Sequence, residues 1–171
     1  MINKKQLTER SFTPSQLSGF DGAHSIQLPV DFIHDLSKAD SLQAVLDTIA
    51  YWISHVFDAD RASITLQDTE EYLKLYSISG NHAIPMDFKI PIGQTFVGRV
   101  FAQSQLIICD DLAQSDELDC QMLSEHGMGT CMDAPMIHNG VCIGTLNVAD
   151  INVNITTPYN KRFFYRVSPL G

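Results

Sequence analysis

The feature that most constrains the fold is a predicted β-hairpin late in the chain. Two largely apolar segments, Thr130–His138 and 141–149, flank the pair Asn139-Gly140. Both central residues of a type I′ turn need positive φ, which Asn-Gly adopts at low cost. The pattern therefore predicts two long antiparallel strands, and any fold for this chain must contain an antiparallel sheet.

The strongest helical pattern lies in the first third of the chain. Apolar residues recur at helical spacing over 42–57 and form one stripe. Asp40, with Gln43 three positions later, predicts a capping box at the start of this helix. A shorter helix is expected at 31–37, with Ile33 among its inward residues.

Further strands and helices alternate along the rest of the chain. Thr95 is expected to cap one helix, and Ser115 or Asp116 another. Period-two or continuous apolar patterns predict four more strands, at 61–67, 72–79, 86–90 and 106–109. This interleaving favours an α+β fold in which helices pack on an antiparallel sheet.

Length, charge and hydropathy limit the classes of partner and the location expected for this chain. The chain has 171 residues, which favours one domain, and its net charge of -9 disfavours nucleic acid and anionic membrane surfaces as partners. No signal peptide and no apolar run long enough to span a bilayer is recognised, so a cytoplasmic location is expected.

Four cysteines recur at intervals of eleven residues but form no CxxC pair. The residues are Cys109, Cys120, Cys131 and Cys142. Without paired spacing, neither a zinc site nor a thioredoxin motif is indicated, and free thiols are expected.

Four segments, in their order and spacing, resemble the GAF family of sensory domains. They read PIGQTFVGRV at 91–100, LIICDD at 106–111, HGMGTCMDAPMI at 126–137 and NGVCIGTLN at 139–147. The resemblance implies a six-stranded antiparallel sheet with helices on one face and a roofed pocket on the other. It also implies homodimers formed through terminal helices, and a position upstream of a cyclase, kinase or regulator.

The resemblance divides the chain into three parts. Residues 1–28 are expected to be a flexible N-terminal segment, and 29–150 the GAF-like domain. The tail, 151–171, departs from the family pattern because it shows no periodicity for the usual closing helix. The chain is therefore expected to be either a fragment or an unusual stand-alone protein.

Strand parity predicts which residues face the pocket. Alternation places Ile64, Leu66, Leu146 and Val148 under the helices, and polar residues on the opposite side. A polar set inside a cavity can orient a small ligand, or it can satisfy the backbone and hold water. The predicted pocket residues are Ser63, Thr65, Phe96, Val97, Asp111, Met122, Cys131, Asp133, Thr145 and Asn147.

The resemblance favours a non-catalytic domain that binds a small molecule, either a cyclic nucleotide or another metabolite, without a further cofactor. The helix beginning after Thr95 would offer backbone N–H groups to a phosphate, although the residue set of cyclic-GMP-binding GAF domains is not recognised. One alternative is a dimerisation or interaction module without ligand.

A second alternative is a free methionine sulfoxide reductase that uses Cys120. Val97 stands where that subfamily has a partner cysteine, and the charge of Asp119 would raise the pKa of Cys120, so this reading is disfavoured. Covalent bilin attachment is disfavoured because Cys120 is followed by Gln121 and the usual Asp-Ile-Pro motif is missing.

Overall fold

The computed structural model describes residues 8–18 and 29–152. These segments contain five helices and seven strands. The helices are α1 (Pro14–Ser18), α2 (Val30–Lys38), α3 (Leu42–Val56), α4 (Phe96–Gln103) and α5 (Leu118–Glu125). The strands are β1 (Glu9–Phe12), β2 (Arg61–Gln67), β3 (Tyr72–Gly80), β4 (Lys89–Pro91), β5 (Leu106–Cys109), β6 (Thr130–His138) and β7 (Val141–Asp150).

All seven strands form one antiparallel sheet in the order β1-β5-β6-β7-β2-β3-β4. The α+β class is confirmed, and β2 to β7 supply the six strands expected. The additional strand is β1, which pairs with β5 at the sheet edge and lies inside the segment 1–28. Glu9–Phe12 reads ERSF, with one apolar residue, so it has neither apolar alternation nor a continuous apolar run to indicate a strand. The proposed absence of a closing helix concerns residues outside the described part.

The hairpin forms as predicted. Asn139 and Gly140 have φ of 50° and 76°, which join β6 to β7 by a turn with two positive φ angles. The start of α3 differs from the prediction, because Ser41 rather than Asp40 is its N-cap and accepts a hydrogen bond from the Ala44 amide at 3.1 Å.

One face of the sheet is covered by α3. Leu46 and Ala50 pack on Ile64, with Leu66 and Leu146 beside them. Toward the other end of the helix, apolar side chains pack on a second cluster that includes Val148. The predicted helix-facing set is therefore confirmed.

The shorter helix α2 lies on α3 rather than on the sheet. The Trp52 indole donates to the Asp35 carboxylate at 2.9 Å, and Phe32 contacts the same ring. Ile33 was expected to point inward, but it is 53% exposed. None of the residues of α2 is fully buried.

The opposite face of the sheet is covered by α4, α5 and the segment 81–90, which together are called the lid. The largest apolar cluster lies between lid and sheet. Gly98 in α4 approaches the backbone of Ile92 so closely that a Cβ there would lie 2.1 Å from the Ile92 carbonyl oxygen.

We expect Gly98→Ala to destabilise the protein by about 2 kcal/mol or more, because the new methyl group overlaps rigid backbone. Gly93 is the matched control, since a Cβ there would meet nothing within 4 Å. Urea unfolding of both variants measures the difference. Equal stabilities for the two variants would contradict the close approach of α4 to residue 92.

Candidate functional site

A cavity lies between the sheet and the lid. The volume that the centres of water molecules can occupy is about 30 Å³, which is enough for about two waters. Its lining consists of Arg61, Ser63, Thr65, Leu75, Ile84, Ile90, Val97, Asp119, Leu123, Cys131, Asp133, Asn147, Val148 and Ala149.

Strand register builds the polar floor of the cavity. Asp133 on β6 is opposite Asn147 on β7, which is opposite Ser63 on β2, so the three form one row across the sheet. The next row on the same face contains Thr145 and Thr65, whose hydroxyls are 2.5 Å apart. The Asn147 amide donates to the Ser63 hydroxyl at 3.3 Å.

Six of the ten predicted pocket residues line this cavity, and four do not. Phe96 is fully buried in the apolar cluster, and Met122 packs against it. Thr145 is the cross-strand partner of Thr65, and its hydroxyl is already bonded to that residue. Asp111 accepts from the Ala113 amide at 3.2 Å and starts a 3-10 turn outside the cavity. The six that line it are Ser63, Thr65, Val97, Cys131, Asp133 and Asn147.

The most consequential residue that the sequence analysis missed is Asp119. Its helix, α5, begins at Leu118 after Glu117 and not after Ser115 or Asp116, which turns Asp119 inward in the first helical turn. The carboxylate accepts hydrogen bonds from the amides of Phe96 and Val97 at 2.8 and 2.9 Å.

This contact changes the expected role of the α4 N-terminus. The helix was expected to offer free N–H groups to an anionic ligand. Asp119 accepts two of its first amides, and the Thr95 hydroxyl accepts the Gly98 amide at 3.0 Å. The positive end of α4 is therefore neutralised from within the protein. The close approach at Gly98 serves packing against Ile92 and not ligand binding.

Arg61 was also missed. It is 3% exposed and donates to the backbone carbonyls of Asn81 and Ile84 at 2.5 and 3.3 Å, which holds the start of the lid segment 81–90 on the sheet. Burial lowers the pKa of Arg61 to about 10, and the charge of Asp133 partly offsets this. The residue remains a cation at neutral pH.

Asp133 is a buried acid with unused hydrogen-bonding capacity. It is 5% exposed, and none of the described residues donates a hydrogen bond to its carboxylate. Burial raises the pKa of Asp133 well above its usual value, the charge of Asp119 adds to the rise, and Arg61 opposes it. In the same row, Asn147 Oδ1 is buried without a partner among the described residues.

The cysteines are free thiols, and three of them are clustered. Cys109, Cys120 and Cys131 are buried, and the thiol of Cys120 interacts with the other two. The Cys109 thiol lowers the pKa of Cys120, but Cys131, burial and the charge of Asp119 outweigh it and raise the pKa overall. In the described part of the chain, no cluster of His, Cys, Asp and Glu is arranged to hold a metal ion.

The lid is also tied to the edge of the sheet. Arg99 of α4 forms ion pairs with Glu9 of β1 at 2.7 Å and with Glu117, before α5, at 2.8 Å. One guanidinium thus connects both lid helices to the additional strand.

Comparison with known proteins decides the family. The GAF domain model matches residues 41–167, which is more than half of the chain. The chain belongs to the GAF domain family. A search of the curated proteins finds no match to it.

Solved GAF structures share this architecture. The GAF domain of a phosphoenolpyruvate-protein phosphotransferase from Coxiella burnetii aligns with a TM-score of 0.64 at 17% identity, covering 78% of this chain and 81% of that one. The A. aeolicus nlh2 GAF domain in an inactive state aligns at 0.64 and 11% identity, covering 80% and 84%. A free methionine-R-sulfoxide reductase from Neisseria meningitidis, in complex with its substrate, aligns at 0.62 and 18% identity, covering 79% and 77%. At these identities the likeness shows the fold alone.

The GAF family is regulatory and sensory, and this domain has that general role. None of the helices that the structure describes is both long and apolar enough to cross a bilayer.

The buried acids of this GAF domain give its stability a predictable pH dependence. Because the pKa of Asp133 is higher in the folded protein than in the unfolded chain, folding takes up a proton and stability falls as pH rises through that window. For one group the slope is at most about 1.4 kcal/mol per pH unit. Asp133→Asn should reduce the slope and stabilise the protein at neutral pH. Part of the slope should remain, because burial also raises the pKa of Asp119.

Urea unfolding between pH 4 and 8 measures this effect. Asp68→Asn, at an exposed position, is the control with the same chemical change. An Asp133→Asn variant with the pH profile of wild type would show that Asp133 has an ordinary pKa in the folded state.

Proposed function

We propose that this GAF domain is a non-catalytic sensor that binds a small molecule in the cavity above Asp133 and couples occupancy to a partner or downstream effector. The observation that carries the proposal is the polar floor of one cavity, where Asn147 Oδ1 is buried without a partner and the Asp133 carboxylate receives no hydrogen bond from the described residues. Buried polar groups are almost always hydrogen-bonded, so the floor favours an occupant, water or ligand, that donates to it.

The size of the cavity implies that ligand binding moves the lid. About 30 Å³ accommodates water-sized groups only, so a larger metabolite requires α4, α5 or segment 81–90 to shift outward. Binding would then select a second lid position, which is how a ligand shifts a two-state equilibrium. The ion pairs of Arg99 give such a shift a physical route to β1 at the sheet edge.

The chemistry of the site supports a non-catalytic role. Cys120, the residue a sulfoxide reductase would use, is fully buried, and its raised pKa keeps it protonated. A thiol reacts as its thiolate, so this environment disfavours nucleophilic attack. The site also disfavours a cyclic nucleotide phosphate at the α4 N-terminus, because Asp119 accepts its amides.

A thermal-shift screen with amino acids, amines, nucleosides and cyclic nucleotides tests the proposal. A ligand present at one hundred times its Kd and specific for the folded state adds about 2.7 kcal/mol of stability, and therefore raises Tm. Asn147→Leu should abolish the shift, whereas Gln67→Leu, an amide replacement at an exposed strand position, should preserve it.

The same ligand allows a test of coupling. Hydrogen exchange of the β1 amides should change on binding in wild type and not in Arg99→Met, which lacks the ion pair to Glu9. If no compound in the screen shifts Tm, and native mass spectrometry shows only the mass of the chain, the sensor proposal fails.

Exposed apolar residues favour a second function, self-association through the helices. Val30 and Ile33 on α2 and Tyr51 on α3 are 83%, 53% and 49% exposed. Exposed apolar side chains that form a contiguous patch occur at protein interfaces. A homodimer formed through this surface would serve as an interaction module with or without ligand.

Sedimentation equilibrium tests this second function. Ile33→Asp should convert a wild-type dimer to monomer, because a charge would be buried at the interface. Ile143→Asp, at a residue 44% exposed on β7, should leave the dimer intact. A monomeric wild type, or equal effects of the two variants, would contradict association through α2 and α3.

A further inference from the structure

The cavity above Asp133 also indicates which class of ligand it takes, an inference that rests on the proposed sensor function. We infer that it binds a small primary amine, whose ammonium group lies between the Asp133 carboxylate and Asn147 Oδ1. Three features of the site lead to this assignment: donors that are largely engaged, acceptors that lack a donor, and the balance of charge.

Many of the donors around the cavity are engaged, although Arg61 uses only two of its five N–H groups. Two of the first amides of α4 bond Asp119, and the Arg61 guanidinium donates to the carbonyls of Asn81 and Ile84. The Asn147 amide nitrogen donates to Ser63. An anion entering the cavity would therefore meet two carboxylates with only one cation, Arg61, beside them.

The acceptors, in contrast, are unused. The Asp133 carboxylate receives no hydrogen bond from the described residues, and Asn147 Oδ1 is buried without one. Because Asp133 and Asn147 are direct cross-strand partners, their side chains lie side by side on the floor. An acceptor buried without a donor is destabilising, so an occupant that donates to both acceptors is favoured.

Charge distinguishes an ammonium group from water. With all groups ionised, Asp119 and Asp133 contribute two negative charges to the lining and Arg61 one positive charge. An ammonium ion would neutralise the excess negative charge, whereas water would only solvate that charge. The remaining lining from the lid is apolar, with Val97, Leu123 and Ile84 buried around the opening. Once the lid has shifted outward, these side chains would contact a short alkyl chain attached to the ammonium group.

Binding of a cation is linked to the proton on Asp133. The charged groups that face Asp133 are Arg61 on β2, Asp119 on α5 and Glu117 at the start of that helix, and the Cys131 thiol lies on its own strand. Of these, the carboxylates favour the protonated acid and Arg61 opposes it. An ammonium ion must displace the proton, so its affinity rises with pH until Asp133 is ionised.

NMR titration of the full chain tests the assignment with four probes of similar size at equal ionic strength. Ethylammonium is a cation with N–H donors, tetramethylammonium is a cation without them, ethanol is neutral, and acetate is an anion. We expect ethylammonium to shift the amide signals of Asp133, Asn147 and Val97 with the highest affinity of the four. Asp133→Asn should weaken this binding about tenfold or more, and the exposed-site control Asp68→Asn should leave it unchanged.

The outcomes separate the two proposals. If ethanol or acetate binds at the same residues as tightly as ethylammonium, the amine assignment is overturned while the sensor function stands. If tetramethylammonium matches ethylammonium, charge without hydrogen bonding suffices and the assignment to a primary amine also fails. If no probe shifts these signals, the cavity binds none of the four, and both proposals fail. Should Asp133→Asn not fold, a wild-type affinity for ethylammonium that does not rise between pH 5 and 8, relative to ethanol, overturns the assignment.

Discussion

The lid of this GAF domain depends on one buried carboxylate. Asp119 is 3% exposed and accepts the first two amides of α4 from its position in the first turn of α5. Desolvation of the acid raises its pKa, while the hydrogen bonds from Val97 and Phe96 offset part of that cost. The Asp119 carboxylate loses solvent but caps the N-terminus of α4, and this contact joins α5 to α4. Arg99 then secures the pair to β1.

The same carboxylate defines what the cavity can bind. By satisfying the α4 N-terminus internally, Asp119 removes the anion site that a helix start ordinarily provides. Its charge also raises the pKa of the neighbouring Asp133. The cavity is therefore rich in acceptors, and its two lining acids outnumber the single guanidinium of Arg61. The GAF fold is shared with a phosphotransferase domain and with a sulfoxide reductase, so the fold alone does not specify the ligand.

Sequence periodicity predicted those parts of the structure that repeat. The Asn139-Gly140 hairpin, the stripe of α3 and the two faces of β2 and β7 followed from turn chemistry and alternation, because each involves many residues in register. Strand parity predicts that Asp133, Asn147 and Ser63 share one face, and the register of the strands brings them into one row.

The roles of individual residues could not be predicted from periodicity in the same way. From the sequence, Asp119 was recognised only as a charge that raises the pKa of Cys120. Its inward position was not predicted, because α5 has weak apolar periodicity and begins one or two residues later than expected. Asp111 was predicted to line the pocket because it ends the segment 106–111, which resembles GAF sequences. In the structure it instead caps a 3-10 turn. Ser41 rather than Asp40 caps α3, since both types cap well and only backbone geometry selects between them. Arg61 and β1 act through partners distant in sequence, Asn81 and Cys109 among them.

In the proposed sensor, buried acceptors on the sheet face an occupied cavity beneath a lid that Asp119 holds closed. A high-resolution crystal structure of the protein purified without added ligand tests it most directly. Electron density for a non-protein group or ordered water within hydrogen-bonding distance of both Asp133 and Asn147, with Asp119 on the α4 amides, is the predicted result. A direct Asp133–Arg61 ion pair that fills the space, with Asp119 turned away from α4, would contradict it.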